Sequence, residues 1–269
     1  MLFEKVLVPV DLSEVTVEQL ACVGQLREFG MKQAIVLYVT SDEVKSVYDE
    51  SKLVTITQPL KESGVDFKIM MESGKAANTI LKIAKKEKAT MIMMACSGKT
   101  KAKELMVGSV SLDVVRRTHI PVLVGKFAGA QPGTCKILLQ QVLVSLDLGP
   151  GTEKMMNVFK EMDLAGCRSA VLFHVVSSSK FSVEDDAKFQ EVKKDLGKWK
   201  DSHDGRCSVD THIHYGTAAY NIMEAAREFD ATLIMMGNVG KGLLHSMTLG
   251  SVSDEVMRKA NAHVLIIPV

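Results

Sequence analysis

The 269 residues carry 33 basic against 32 acidic side chains, a formal charge of +1, and 46% hydrophobic residues, so the chain can build a packed core and shows no broad basic footprint for nucleic acid. No stretch approaches the roughly 18–20 apolar residues of a membrane span, and MLFEKVLVPVDLSE at the start reads as a first strand instead of a signal peptide. Five scattered cysteines (Cys22, Cys96, Cys135, Cys167 and Cys207) include no C-x-x-C pair and fit a reducing cytoplasm better than a disulfide framework, so the expectation is a soluble cytoplasmic protein.

Val6 to Val10 is a continuous apolar run, as expected of a strand buried on both faces, and it stops at Asp11. Ser13 is the N-cap candidate for a helix over 14–29, with Asp11 the alternative, and Gly30 is the C-cap candidate. Ala34 to Val39 reads as the second strand. A helical region follows to Ser63, broken or kinked at Pro59. Val65 to Met71 is the third strand, 76–87 a helix, and Met91 to Met94 the fourth strand. Ser109 to Arg117 reads as a helix and Ile120 to Val124 as the fifth strand. Strands alternating with helices imply β-α-β units and a mainly parallel sheet with helices on both faces. Residues 126–135, rich in glycine, read as a linker between domains spanning 1–125 and 136–269.

The second half then repeats the first. Val142 to Leu146 ends at Asp147, 136 positions after Asp11. Val171 to Val175 matches the second strand, Tyr215-Gly216 matches Ser73-Gly74, and Leu233 to Met236 matches Met91 to Met94. Val264 to Ile267 covers the last strand. The offset grows from 136 to 142, which assigns the length difference to the second helical region and third strand.

After each fourth strand comes a spaced run of small residues. In the second half these are Gly237, Gly240 and, after nine residues, Gly250-Ser251; in the first they are Ala95, Gly98 and, after nine residues, Gly108-Ser109. Glycines between a buried strand and a helix start let backbone approach a phosphate, and the helix dipole adds about half a unit of positive charge there. In an open parallel sheet, ligands sit beyond the carboxyl ends of the strands where the strand order reverses. If the first and fourth strands are neighbours, the Asp and the glycine loop flank one crevice, and the carboxylate could accept hydrogen bonds from a ribose hydroxyl or an adenine amino group. The plainer reading is that these glycines only turn the chain and the serine caps a helix; the matched spacing of the two copies argues against it. A Walker A loop is excluded because the position five before Gly98 is Met93, a strand residue, and a dinucleotide fingerprint because Asp11-Leu12-Ser13 and, in the second half, Asp147-Leu148-Gly149-Pro150-Gly151 stand where its glycines are required.

This pattern, an apolar first strand ending in Asp and G-x2-G-x9-G-[ST] after the fourth, resembles the universal stress protein (UspA) family, and the two copies resemble its tandem members. The resemblance implies an α/β fold of two tandem open parallel five-stranded sheets in the order 3-2-1-4-5, adenine nucleotide alpha hydrolase-like. It implies binding of ATP or another adenine nucleotide (AMP, ADP), with Mg as an accompanying ion, and a regulatory stress-response role. The binding residues would be Asp147, Val175, Gly237, Gly240, Gly250, Ser251 and Val252 in the second half. Their first-half counterparts are Pro9, Asp11, Val39, Ala95, Gly98, Gly108, Ser109 and Val110, a weaker site because Ala95 adds a methyl group where backbone approaches the ligand or takes φ > 0. The second half departs in its own way: Gly149-Pro150-Gly151 stands where the first has Ser13-Glu14-Val15, a loop expected to lack a polar contact. Family members also pair their domains, which implies an intramolecular pseudo-dimer and, further, a homodimer. The alternatives are a slow ATPase or phosphotransferase, for which no general base or carboxylate pair stands beside the loop, and an interaction protein that binds no nucleotide.

Other residues have weaker readings. His212 and His214 share a strand face and lack an evident third metal ligand, so they read as exposed edge residues. His174 is expected to pack or hydrogen-bond in its strand. Cys96 is a candidate redox thiol or a small loop residue, and Lys99 and Lys241 neutralise phosphate or are simply solvated. The methionines of the strands read as core filler.

Overall fold

The computed structural model describes residues 1–40, 47–95, 107–127, 138–177, 183–240 and 249–269. The chain divides into two compact units, 1–137 and 138–269.

In the first unit β1 (Lys5–Val10), β2 (Gln33–Thr40), β3 (Asp66–Ser73), β4 (Met91–Ala95) and β5 (Val122–Gly125) are joined in parallel in the order β3-β2-β1-β4-β5. Leu7 pairs with Ile35 on one side and Ile92 on the other, so β1 is central, and Val6, Leu7 and Val8 are fully buried. Each such side chain contributes about 1.5–3 kcal/mol of burial free energy, enough to make the apolar runs the seeds of the sheet. The connecting helices are α1 (Glu14–Gln25), α2 (Val47–Ile56), α3 (Gln58–Ser63), α4 (Ala76–Lys86) and α5 (Ser109–Arg117). They group as α1 with α3 and α4 with α5. Reversal of strand order between β1 and β4 sends right-handed crossovers to opposite faces, which is why the helices separate in this way.

The second unit repeats the plan with β6 (Gln141–Ser145), β7 (Ser169–Val176), β8 (Ser208–Tyr215), β9 (Leu233–Gly237) and β10 (His263–Ile267), ordered β8-β7-β6-β9-β10. Its helices are α6 (Thr152–Leu164), α7 (Val183–Asp201), α8 (Ala218–Glu228) and α9 (Ser251–Lys259). Both units therefore have the expected order 3-2-1-4-5. A repeated clamp pins the first strand to the fourth: Thr90 Oγ1 bonds the backbone N–H and C=O of Lys5, and Thr232 Oγ1 does the same at Gln141.

Some local expectations change. The helix expected over 14–29 ends at Gln25 and tightens into a 3-10 turn, Leu26–Phe29, before Gly30 closes it at φ +89°. Ser13 is the N-cap of α1, yet its side chain makes no capping bond. Pro59 does interrupt the second helical region: it sits in the first turn of α3, where its missing N–H costs nothing. Among the described residues the second unit has one helix, α7, in the same gap. Ser73 and Tyr215, 142 positions apart, end the third strands, so the offset is complete by then and lies wholly in this connection, not in the strand. Gly74 and Gly216, at φ +130° and +123°, turn each chain from third strand into helix, a conformation open to glycine and strained for other residues. From residue 128 the stretch read as a linker lies outside the described residues, as do Cys96, Gly98, Lys99 and Lys241.

Candidate functional site

The site grows out of one turn. After β6 the backbone passes through Asp147 and then Leu148, whose φ is +55°; Leu12 after Asp11 has φ +60°. A left-handed Leu is a rare and costly state, of order 1–3 kcal/mol, and its occurrence at both copies marks a turn that the surrounding structure enforces. It folds the next amide back onto the carboxylate: Gly149 N–H donates to Asp147 Oδ1 at 2.9 Å and Ser13 N–H to Asp11 Oδ1 at 3.1 Å. This bond is made by the backbone and is therefore kept in both halves. One carboxylate oxygen is held by the turn while Oδ2 of Asp147 faces the loop after β9, 3.7 Å from where a Cβ on Gly240 would lie.

That loop is closed at its base by Asn238. Buried beside Gly237, Asn238 accepts from Gly250 N–H through its backbone oxygen at 2.7 Å and from Val269 N–H through Oδ1 at 3.0 Å. Ser253 Oγ donates to Gly237 O at 2.7 Å, tying the start of α9 to the end of β9. Gly250 caps α9 in an extended conformation with no side-chain cap, so the first amides of the helix lack a side-chain acceptor.

Of the three loop glycines Gly237 serves close approach, whereas a Cβ at Gly240 or Gly250 would meet its neighbours at ordinary contact distance. Gly237, Gly240 and Gly250 have no positive φ, so the left-handed alternative raised for the Ala95 position does not hold. At Gly237 a Cβ would lie 3.1 Å from Val239 O and 3.2 Å from Val269 Cγ2, and at Gly250 3.4 Å from Asn238 O. Gly151 is tighter still, with Val269 Cβ at 2.6 Å.

Between the turn and the loop lies a cavity of about 380 Å³, lined by Asp147, Val175, Gly237, Gly240, Gly250, Ser251 and Val252, the seven residues singled out in the second half. Ser145, Gly151, Met155, His174 and Lys188 also line it. Sequence patterns missed His174 as a wall residue. Its Nδ1 lies 2.7 Å from Leu146 O, and because a carbonyl only accepts, Nδ1 carries the proton. Asn238 and Ser253 were also missed; the repeat of Ser111 at Ser253 was the available signal, whereas Asn238 had none.

In the first unit Pro9, Asp11, Val39, Ala95, Gly108, Ser109 and Val110 stand at the matching strand ends and helix start. Two local differences are visible. Asp11 Oδ1 is engaged twice, by Ser13 N–H and by Thr16 Oγ1 at 3.3 Å. Gln19, at the position of Met155, is buried and donates to Met93 O at 2.8 Å.

Among the described residues no group of three or more His, Cys, Asp or Glu side chains is placed to hold a metal ion, and nothing supports a resident Mg. His212 lies against Phe229 with ring centroids 4.6 Å apart, and His214 meets Phe173 edge-on at 5.0 Å. His212 is exposed as expected, whereas His214 is half-buried. No helix among the described residues is long and apolar enough to cross a membrane.

Two units, each an open parallel sheet with reversal between its first and fourth strands and the second carrying an Asp turn opposite a glycine loop, define a tandem doubly wound α/β protein. The model of the universal stress protein family matches residues 2–126 and again 140–268, so the chain belongs to that family and carries two of its domains. Universal stress protein MJ0531 of Methanocaldococcus jannaschii is 29% identical over 141 residues, covering 46% of this chain and 83% of that protein. A universal stress protein from Archaeoglobus fulgidus superposes with TM-score 0.76 at 24% identity over 99% of both chains. PA1789 of Pseudomonas aeruginosa, a protein of unknown function, superposes with TM-score 0.70 at 16% identity over 98% of this chain and 92% of that one. Those two likenesses establish the fold.

Proposed function

We propose that the second domain binds an adenine nucleotide (ATP, ADP or AMP) and that this binding serves a regulatory stress-response role in the cytoplasm. The observation that carries the reading is the opposition of two recognition elements across one cavity of about 380 Å³: the Asp147 carboxylate and the start of α9 without a side-chain cap. The volume lies within the roughly 300–1,000 Å³ of small-molecule sites. Asp147 Oδ2 accepts from a ribose hydroxyl or the adenine amino group. The amides of Ser251 and Val252 and the Ser251 hydroxyl donate to phosphate oxygens, favoured by the helix dipole. Val175 lines the wall. Gly237, Gly240 and Gly250 keep the loop thin enough for the phosphates to reach those amides.

Titration calorimetry of the full-length protein with ATP, ADP and AMP tests this. Heat is expected with at least one nucleotide, and Asp147→Ala is expected to weaken binding by tenfold or more, since a hydrogen bond to a charged group is worth about 1.5–3 kcal/mol. Gly240→Val places a branched side chain in the cavity and is expected to abolish binding. Silence with all three nucleotides at millimolar concentration overturns the proposal. Homodimer formation belongs to the same proposal and is read by light scattering with and without nucleotide.

A further inference from the structure

At the amino ends of the strands, away from the cavity, Cys167 and Cys207 meet with Sγ atoms 3.2 Å apart. Both are buried, at 4% and 5% exposure. They lie 40 positions apart in sequence and are brought together by strand register, since Ser169 pairs with Ser208 at the start of β7 and β8. The last turn of α6 fixes both backbones: Cys167 N–H donates to Met162 O at 3.0 Å and Cys207 N–H to Asp163 Oδ1 at 2.7 Å. With no metal-holding group of three or more such side chains among the described residues, the chemistry the pair offers is that of two thiols.

We propose that Cys167 and Cys207 are an oxidation site at which hydrogen peroxide forms an intramolecular disulfide, joining the segment before β7 to the segment before edge strand β8. One thiolate attacks a peroxide oxygen, breaks the O–O bond and becomes a sulfenic acid, and the departing hydroxide takes up a proton as water. The neighbouring thiol attacks the sulfenic sulfur, forms the S–S bond and expels a second water. Two thiols and one peroxide become one disulfide and two waters. The hydrogen bond shared with Cys207, burial and the neighbouring Cys207 and Asp163 charges hold the Cys167 thiol above the ordinary thiol range. The bridge closes a loop of about 40 residues and is expected to raise the melting temperature by roughly 10 °C.

The test treats the full-length protein with millimolar hydrogen peroxide, quenches with catalase, alkylates the remaining thiols and maps peptides by mass spectrometry. Expected are a Cys167–Cys207 linked peptide, a raised melting temperature reversed by dithiothreitol, and loss of both in Cys167→Ser and Cys207→Ser. The linked peptide is read on the unmodified chain, so the test does not depend on the variants folding. Both thiols staying alkylatable, bridging to other cysteines, or overoxidation to sulfinic acid at either position overturns the proposal. So does stoichiometric zinc in the purified protein that both variants lose.

Discussion

Asp163 shows how much one side chain on α6 organises. Its Oδ1 accepts from Cys207 N–H and Arg206 N–H, its Oδ2 from Arg206 N–H at 3.2 Å, and His203 Nε2 stands 3.7 Å away. Gly205 makes this possible, because a Cβ there would fall 1.5 Å from Asp163 Oδ2. Asp163→Ala removes a buried acceptor and strands two backbone donors, so a loss of about 2–3 kcal/mol is expected, read as a lower urea midpoint with unchanged slope. A change below about 0.5 kcal/mol would show that water replaces the carboxylate there. None of this was legible: an Asp near the end of an amphipathic helix reads as a solvated residue, and its partners come from a loop some 40 positions later. Asp147 was legible because it ends an apolar strand in two copies. Its turn was not, since nothing in Asp-Leu-Gly or Asp-Leu-Ser announces a left-handed Leu at the middle position.

At the scale of elements, the strands and most helix boundaries followed from apolar periodicity and from proline and glycine. How the helices pack did not. Gly24 of α1 faces α3, and a Cβ there would lie 2.9 Å from Ser63 Cβ and 3.0 Å from its Oγ. Gly24→Ala gains about 1 kcal/mol of helix propensity and loses about 1–3 kcal/mol to overpacking, so a small net destabilisation is expected. Adding Ser63→Gly opens the contact and is expected to recover the loss, which a double-mutant cycle by chemical denaturation measures. Strict additivity of the two changes would mean that the helices move apart at no cost. Among the described residues the second unit has the single helix α7 in this place, and its Lys188 lines the cavity.

Across the whole molecule the duplication makes two candidate sites with unequal chemistry. In the second domain Asp147 Oδ2 faces Gly240 and Met155 lines the cavity. In the first, Asp11 Oδ1 is held by both Ser13 and Thr16, and Ala95 replaces the first glycine. Calorimetry is therefore expected to give a stoichiometry near one nucleotide per chain, removed by Asp147→Ala and untouched by Asp11→Ala. Ala95→Gly is expected to add a second, weaker event that Asp11→Ala then removes. Two equal events in the unmodified chain would show that the Ala95 methyl group is tolerated.

By itself the sequence determined the alternation of strands and helices, the tandem repeat, the family and the seven residues that converge on the second cavity. Each depends on local period or on copying, and both survive in one dimension. Only the tertiary structure decided that Gly237 serves close contact instead of a left-handed turn, that His174 lines the cavity while Asn238 closes the loop beside it, and that Cys167 touches Cys207. The physical reason is the parallel sheet. Its register sets side by side residues from strands far apart in the chain, and the distances that give those residues their chemistry are distances across the sheet.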